Sequence, residues 1–354
     1  MSGTFSVVGS RPPVLITGGA GFIGCNLADR LASDGENVLV YDSLARPGVE
    51  ANLAWLRARH PRRISSTVAD VRDADAVGDA ARQSAAVFHL AAQVAVTTSM
   101  VEPVADFQVN LQGTLNVLEA LRRRPVPMVF ASTNKVYGGL YEINLLQREP
   151  GWMPRDLAIA RTGIGEQQRL DFCTPYGCSK GGADQYVLDY ARQFRVPAAV
   201  LRMSCIYGPR QLGTEDQGWV AHFLRQALAG EPITLYGDGR QVRDVLHVDD
   251  AVRAYVGAWQ RMGTVAGQAF NLGGGPSNAI SLLQLIRHIE SLLGRSVAVR
   301  FSDWRPNDQR WFVADPRRVR AALDLPEPQD WRTGVGNLLR SFAAAGESQR
   351  AISA

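Results

Sequence analysis

Cysteine is scarce, and what little there is falls into no pattern. Cys25, Cys173, Cys178 and Cys205 are the only four in 354 residues, with neither the paired spacing of a metal site nor a dense disulfide framework. They are expected as buried, reduced thiols, and no metal is expected. Long apolar runs are also missing: no window approaches the ~18 apolar residues of a membrane span, so no membrane association is expected. The opening "MSGTFSVVGSR" lacks a sustained apolar core. That argues against a signal peptide and makes a cytoplasmic location the expectation. No excess of one charge exists either. The 38 basic and 34 acidic residues leave a net +4, and no basic run exceeds Arg122–Arg124. Nucleic acid is therefore not an expected partner, although a cleft for an anionic ligand remains open.

What is present is a regular alternation. "PPVLITGG", "NVLVYD", "RISSTVAD", "AAVFHLAA", "PMVFAST" and "AAVLRM" read as strands, with helical patterns between them. Alternation at this spacing predicts an α/β fold, a doubly wound Rossmann parallel sheet with helices on both faces. "PVADFQVNLQGTLNVLEALRRR" reads as one helix whose Val104, Phe107, Leu111, Leu115 and Leu118 share a face. Beyond residue 205 the pattern is less regular and richer in Trp, Gly and Pro. It includes the helical run "WVAHFLRQALAG" and a capping box formed by Ser281 and Gln284. The expected organisation is a Rossmann domain over 1–200, to which 244–275 partly returns. A smaller, interleaved substrate lobe over 201–345 and a flexible tail over 346–354 complete it.

"TGGAGFIG" sets Gly18, Gly21 and Gly24 between the first strand and the first helix, which opens with Phe22 and Ile23. Glycine permits the tight turn and lets the backbone approach a pyrophosphate at a helix N-terminus. Asp42 ends the second strand eighteen residues after Gly24, with Ser43 beside it. A carboxylate there accepts hydrogen bonds from an adenosine ribose and repels a 2′-phosphate, favouring NAD over NADP. Asp70, followed by Val71, either contacts adenine or caps the next helix. Ala91 and Ala92 leave room for a flat ring against the backbone. Further on, "YGCSK" places Tyr176 and Lys180 on one side of a helix start, so an ammonium is expected to lower the pKa of a phenol. Alone, such a pair reads equally as a surface contact.

Together, the glycine turn, the hydroxyls after a mid-chain strand and the Tyr-x-x-x-Lys pair resemble the extended short-chain dehydrogenase/reductase family, over essentially the whole chain. The resemblance implies Thr133 as the group that orients a substrate hydroxyl. It implies Tyr176 as acid and base, and Lys180 as the residue that binds the nicotinamide ribose and tunes the tyrosine. Asn110 matches a helix asparagine with a structural or proton-relay role. "VRDVLHVDD" and "RPNDQRWFVAD" resemble elements of nucleotide-sugar enzymes, implying Arg243 and Arg305 as pyrophosphate ligands and Asp308 as a ribose contact.

"STNKVYG" narrows the chemistry. The 4,6-dehydratases that resemble this chain carry acidic residues just after the threonine, because water elimination needs a general acid and a base there. Asn134 and Lys135 occupy those positions, so dehydration is disfavoured and hydride transfer at a hydroxyl-bearing carbon remains. The segments "AAQVAVTTS", "LDFCTPYGCSKGGADQYVLDYAR", "DQGWV" and "DQRWFVAD" look very like those of CDP-paratose 2-epimerases, also called CDP-tyvelose epimerases. That resemblance implies a resident NAD, a nucleotide-diphosphate sugar substrate, inversion at C2 by hydride removal and return, and a homo-oligomer, dimer or tetramer. It implies sugar or phosphate contacts at Thr98, Ser99, Asn134 and Cys205, and base or sugar contacts at Gln217 and Trp219. Trp219 reads equally as core, and Lys135 as either a sugar contact or a structural salt bridge. Cys173 and Met203 replace larger or more polar residues, which bears on the sugar that fits. A 4-epimerase, or a reductase or dehydrogenase on a similar sugar nucleotide, would use the same three groups. An inactive NAD-binding protein would leave them unexplained.

Overall fold

Runs of four to six apolar residues, too short for helices and bounded by turn residues, become the strands of a sheet buried on both faces. The computed structural model describes residues 11–305 and 307–353. The N-terminal ten residues, Pro306 and residue 354, all touched by the sequence reading, lie outside the described residues. The chain opens with β1 (Val14–Thr17), α1 (Phe22–Ser33), β2 (Val38–Asp42), α2 (Val49–Arg59), β3 (Ile64–Val68), α3 (Ala74–Arg82) and β4 (Ala86–His89). There follow α4 (Val96–Val101), α5 (Pro103–Phe107), a π-helical turn (Gln108–Gln112), α6 (Gly113–Arg123), β5 (Met128–Thr133) and a 3₁₀ turn (Asn134–Tyr137). A short hairpin, β6 (Leu145–Gln147) with β7 (Trp152–Pro154), and α7 (Leu157–Thr162) precede α8 (Thr174–Gln193) and β8 (Ala198–Met203).

The remainder comprises β9 (Cys205–Tyr207), α9 (Trp219–Ala229), β10 (Ile233–Tyr236), β11 (Val242–His247), α10 (Val248–Gln260), α11 (Met262–Val265) and β12 (Ala269–Leu272). Then come β13 (Ala279–Ser281), α12 (Leu282–Leu293), β14 (Val299–Ser302), β15 (Trp311–Phe312), α13 (Arg317–Leu323) and α14 (Trp331–Ser353). The last helix therefore runs into the segment read as a tail. Ser281 and Gln284 form the expected capping box at the start of α12. No helix among the described residues is long and apolar enough to cross a membrane.

Seven parallel strands form the central sheet in the order β12-β8-β5-β4-β1-β2-β3. After β3 the chain crosses to the other side of β1, so the strand order reverses between β1 and β4 and a crevice opens at their carboxyl ends. One apolar layer lies under α1, α2 and α10, around Leu27, Leu53 and Tyr255. The opposite layer lies under α3, α6 and α8, around Val117, Phe130 and Val187. A third cluster, including Phe223, Leu285 and Val335, holds α9, α12 and α14 together around β10 and β11.

The helix expected across residues 103–124 is not uniform. The π turn inserts an extra residue and rotates the buried stripe. Val104 and Phe107 are 67% and 50% exposed, while Asp106, Asn110, Thr114 and Val117 face inward. The cysteines also depart from expectation: all four are free, but only Cys25 is buried, and Cys178 is exposed on α8.

α8 is fastened to the sheet by a buried ion pair. Arg202 on β8 donates through Nε and Nη2 to the two carboxylate oxygens of Asp184, each at 2.9 Å. The Ser132 hydroxyl of β5 donates to the same carboxylate at 2.7 Å, and Arg202 also donates to Tyr137 Oη at 3.1 Å. Asp184 is fully buried and Arg202 nearly so. Truncating one partner leaves the other charge buried and unpaired. Asp184→Ala should therefore cost about 3–5 kcal/mol of unfolding free energy, read from the midpoint of a denaturant titration.

Candidate active site

The turn from β1 into α1 is built by steric necessity. Gly18 adopts φ +69°, and a Cβ there would lie 2.7 Å from the Ala91 backbone nitrogen. A Cβ on Gly24 would lie 2.3 Å from the Gly18 carbonyl oxygen. Gly21 caps α1 without any side-chain hydrogen bond, and no acidic residue stands in the first turn. The N–H groups there remain free for an anion, and the helix dipole favours one. Phe22 and Ile23 pack against the first core layer. Asp42 stands at the end of β2, its two carboxylate oxygens accepting from Ala20 N at 3.0 Å and Leu44 N at 2.9 Å, with Ser43 exposed beside it. These features fit a dinucleotide: a pyrophosphate cradle that a side chain would fill, and a carboxylate fixed across the crevice.

Asp70 does not cap the helix that follows; Asp73 does, accepting from Ala76 N at 3.0 Å. The Asp70 carboxylate is instead gripped by Arg72 at 2.8–3.0 Å, which holds its pKa below the usual carboxylate range. Val71 is buried against Gly113. Ala91 and Ala92 lie half-buried at the mouth of β4. His89, passed over in the sequence, is fully buried between the hydroxyls of Thr17 (2.6 Å) and Thr114 (3.0 Å). Burial, reinforced by Lys180, pushes its pKa down to about 3, so it is neutral.

A segment from the other half of the chain crosses this crevice. Asn26 donates to Pro209 O at 3.0 Å, and the Arg210 guanidinium lies 3.7 Å from the Trp55 ring centroid. Arg46 donates to Leu212 O at 2.6 Å and also to the side-chain oxygen of Gln217. Gln217, expected at the base or sugar, is thus held from the nucleotide side by Arg46, a residue without any motif to announce it.

The candidate proton-transfer groups meet where β5 ends. Thr133 caps the 3₁₀ turn, its Oγ1 accepting from Lys135 N at 3.2 Å. Tyr176 and Lys180 lie in the first two turns of α8. The Thr133 hydroxyl is close enough to the Tyr176 phenol to act on its titration, and the Lys180 ammonium sits 4.2 Å from the Phe130 ring centroid. Burial pushes the Tyr176 phenol up to about 12, against the opposing hydrogen bond from Thr133. It pushes Lys180 down to about 7, with the charges of Asp184 and Asp106 resisting. The expected lowering of the tyrosine by the lysine is therefore corrected: lost hydration is the largest effect on each group and disfavours its charged form.

Ser99 is also corrected. It is fully buried, donates to Val96 O at 2.7 Å and accepts from Tyr176 N at 3.2 Å, so its hydroxyl seats α8 and is closed to a ligand. Thr98 is exposed on α4.

Across the cleft, Asn134 donates to Gln309 Oε1 at 3.4 Å. Gln309, another residue missed in the sequence, is fully buried and donates to Gly138 O at 2.6 Å. Arg243 on β11 donates to Asp308 at 2.8 Å, and the Lys135 ammonium stands 3.8 Å from the same carboxylate. Lys135 has its pKa lowered, first by burial. Cys205, which shares this charged neighbourhood with Cys173, has its thiol pKa raised by burial. The buried indole N–H of Trp219 faces Cys205 and has no nitrogen or oxygen partner. Arg305 stands further out, over the Tyr236 ring, with Asp216 at 3.0 Å. The structure thus gathers Thr133, Asn134, Lys135, Tyr176 and Lys180 with the Arg243–Asp308 pair, and leaves Thr98 and Ser99 aside.

Comparison with known proteins agrees with this geometry. Residues 14–273 match the model of the NAD dependent epimerase/dehydratase family. The CDP-paratose 2-epimerase of Salmonella typhi is 40% identical over 91% of this chain and 96% of its own length. The UDP-glucose 4-epimerase of Mycolicibacterium smegmatis is 33% identical over 93% of this chain and 97% of its own. The crystal structure of a Thermus thermophilus UDP-glucose 4-epimerase in complex with NAD superposes with a TM-score of 0.78 at 30% identity, covering 94% of this chain and 99% of that one. The chain belongs to the NAD dependent epimerase/dehydratase family.

Gly24→Ala tests the cradle. The added methyl group cannot fit without moving the turn, and overpacking of this kind costs roughly 1–3 kcal/mol, so NAD affinity should fall about ten- to hundredfold. Calorimetric titration measures the affinity, and unchanged circular dichroism separates it from unfolding.

Proposed function

We propose that this member of the family inverts C2 of the hexose in a nucleotide-diphosphate sugar of the CDP-paratose/CDP-tyvelose type, in the cytoplasm and without net oxidation. The observation that carries the reading is the 40% identity to a CDP-paratose 2-epimerase across nearly the full length of both chains. The neighbours of Thr133 support it. A dehydratase needs carboxyl groups beside the reacting carbons, whereas Asn134 and Lys135 follow Thr133 here and Asp308 is engaged by Arg243.

The chain's own residues divide the work as follows. Bound NAD would supply reversible hydride transfer at the sugar carbon. Gly18, Gly21 and Gly24 would cradle its pyrophosphate, Asp42 its adenosine ribose and Lys180 its nicotinamide ribose. Tyr176 takes the proton of the C2 hydroxyl at its phenolic oxygen and returns it there. Thr133, beside Tyr176, holds the same sugar oxygen in line. A phenol held near 12 by burial is a poor base until positive charge collects around it, so deprotonation awaits the loaded site. Asn134 and Lys135 face the sugar. Arg243 and Arg305 would exchange the carboxylates of Asp308 and Asp216 for phosphate oxygens, releasing Asp308 towards the ribose. Cys173 and Cys205 give that wall a small, weakly polar lining that suits a deoxygenated sugar.

The exposed apolar side chains suit a homo-oligomer. Met100, Val101, Val104 and Phe107 on α4 and α5 are exposed, as is Tyr186 on α8, against which α4 and α5 pack. A second copy of the chain would cover this face. Phe107→Glu should lower the mass found by light scattering towards that of one chain.

The deciding experiment incubates the protein with CDP-, UDP- and GDP-hexoses in deuterated water and follows each carbon by NMR. Inversion at C2 with retention of its hydrogen is expected. Inversion at C4 instead would favour the 4-epimerase reading, and deuterium uptake at C2 would sink internal hydride return. Tyr176→Phe in the same assay should turn over roughly a hundredfold more slowly or worse.

A further inference from the structure

One buried carboxylate near the site has no role in the mechanism above. Asp106 is fully buried on α5, immediately before the π turn. Its Oδ1 accepts from Asn110 Nδ2 at 3.1 Å, and its Oδ2 accepts from the hydroxyl of Ser179. Ser179 stands between Tyr176 and Lys180 in α8. Asn110 is itself pinned, accepting from Gln93 N at 2.9 Å and donating to Gln93 O at 3.1 Å. Among the described ion pairs Asp106 has none, although an unpaired buried carboxylate is costly. Burial raises its pKa, while the hydrogen bonds from Ser179 and Asn110 and the charge of Lys180 pull the other way, towards the ionised form. Asp184, the other acid acting on Lys180, is already matched by Arg202 and Ser132.

We propose that Asp106 is a positioning residue of the proton-transfer centre: through Ser179 it seats the first turn of α8, and its charge balances the Lys180 ammonium behind Tyr176. The π turn is what aims it there, by turning Asp106 and Asn110 inward together. The titratable groups facing this carboxylate are Tyr176, Cys178 and Lys180 from α8. α4 carries no titratable residue, and Glu102, at the start of α5, is exposed. A negative charge here favours the protonated forms of both Lys180 and Tyr176, and both feel it in that direction. Removing the charge must therefore lower both pKa values together.

The inference rests on the proposed reaction for its kinetic arm alone. In the full-length protein, the Tyr176 phenol is titrated by tyrosinate ultraviolet difference absorbance, taking Tyr176→Phe as the blank. Asp106→Asn, which keeps the shape and removes the charge, should move that midpoint down by about half a pH unit or more. In turnover of the sugar nucleotide, both limbs of the pH–kcat profile should move down together. Ser179→Ala keeps the charge, and should lower kcat several-fold with the limbs in place. A D106N variant with an unshifted phenol and unshifted limbs, whether active or merely slow, overturns the proposal. If D106N does not fold, an unchanged kcat in Ser179→Ala overturns it. If the wild-type protein turns over no sugar nucleotide, the proposed reaction fails while the phenol titration still decides the role of Asp106.

Discussion

The Arg202–Asp184 pair is the fastening on which the site hangs. Two hydrogen bonds of 2.9 Å lock α8 to β8, and the Ser132 hydroxyl draws β5 onto the same carboxylate. Thr133 is the next residue along β5, and Tyr176 and Lys180 are carried on α8, so one buried ion pair sets the distance between the hydroxyl and the phenol. Arg202 also reaches Tyr137, whose hydroxyl donates to Asn271 on β12 at 2.7 Å. The strand that returns late in the chain is therefore tied to the same point. A buried pair of this kind adds little net stability compared with apolar packing, but it permits only one arrangement of the elements it joins.

Burial is also what governs the chemistry. It lowers His89 and Lys180 and raises Tyr176, in each case towards the uncharged form. A charged ligand entering this crevice would meet groups biased towards neutrality. The segment from Pro209 to Gln217, strapped to α1, α2 and Arg46, closes the nucleotide side of the crevice over such a ligand.

Much of this was legible in the sequence because it depends on local pattern. Apolar runs predicted the strands, the glycine spacing predicted the turn at Gly18–Gly24, and Ser281 with Gln284 predicted the cap of α12. The central sheet and the family followed from those motifs. Errors arose where a local rule met a tertiary one. A 3.6-residue period placed Val104 and Phe107 inside, and the π turn put them outside. Ser99 read as a loop hydroxyl free for a ligand, yet it is closed between Val96 and Tyr176. Asp70 read as a possible cap, and Asp73 three residues later has the better reach.

By itself the sequence determined the order of strands and helices and the glycine turn, and it singled out Thr133, Tyr176 and Lys180 as candidates, because these are set by spacings of a few residues. Tertiary structure alone decided which partner each buried or half-buried charge meets: Asp184 with Arg202, Asp308 with Arg243, Asp106 with Ser179, and Arg46 with Gln217. The last three span 65, 73 and 171 positions of chain, and no local propensity links residues so far apart. Their meeting, and the loss of water that shifts the groups beside them, follow only from the packing of α8 and the lobe against the sheet.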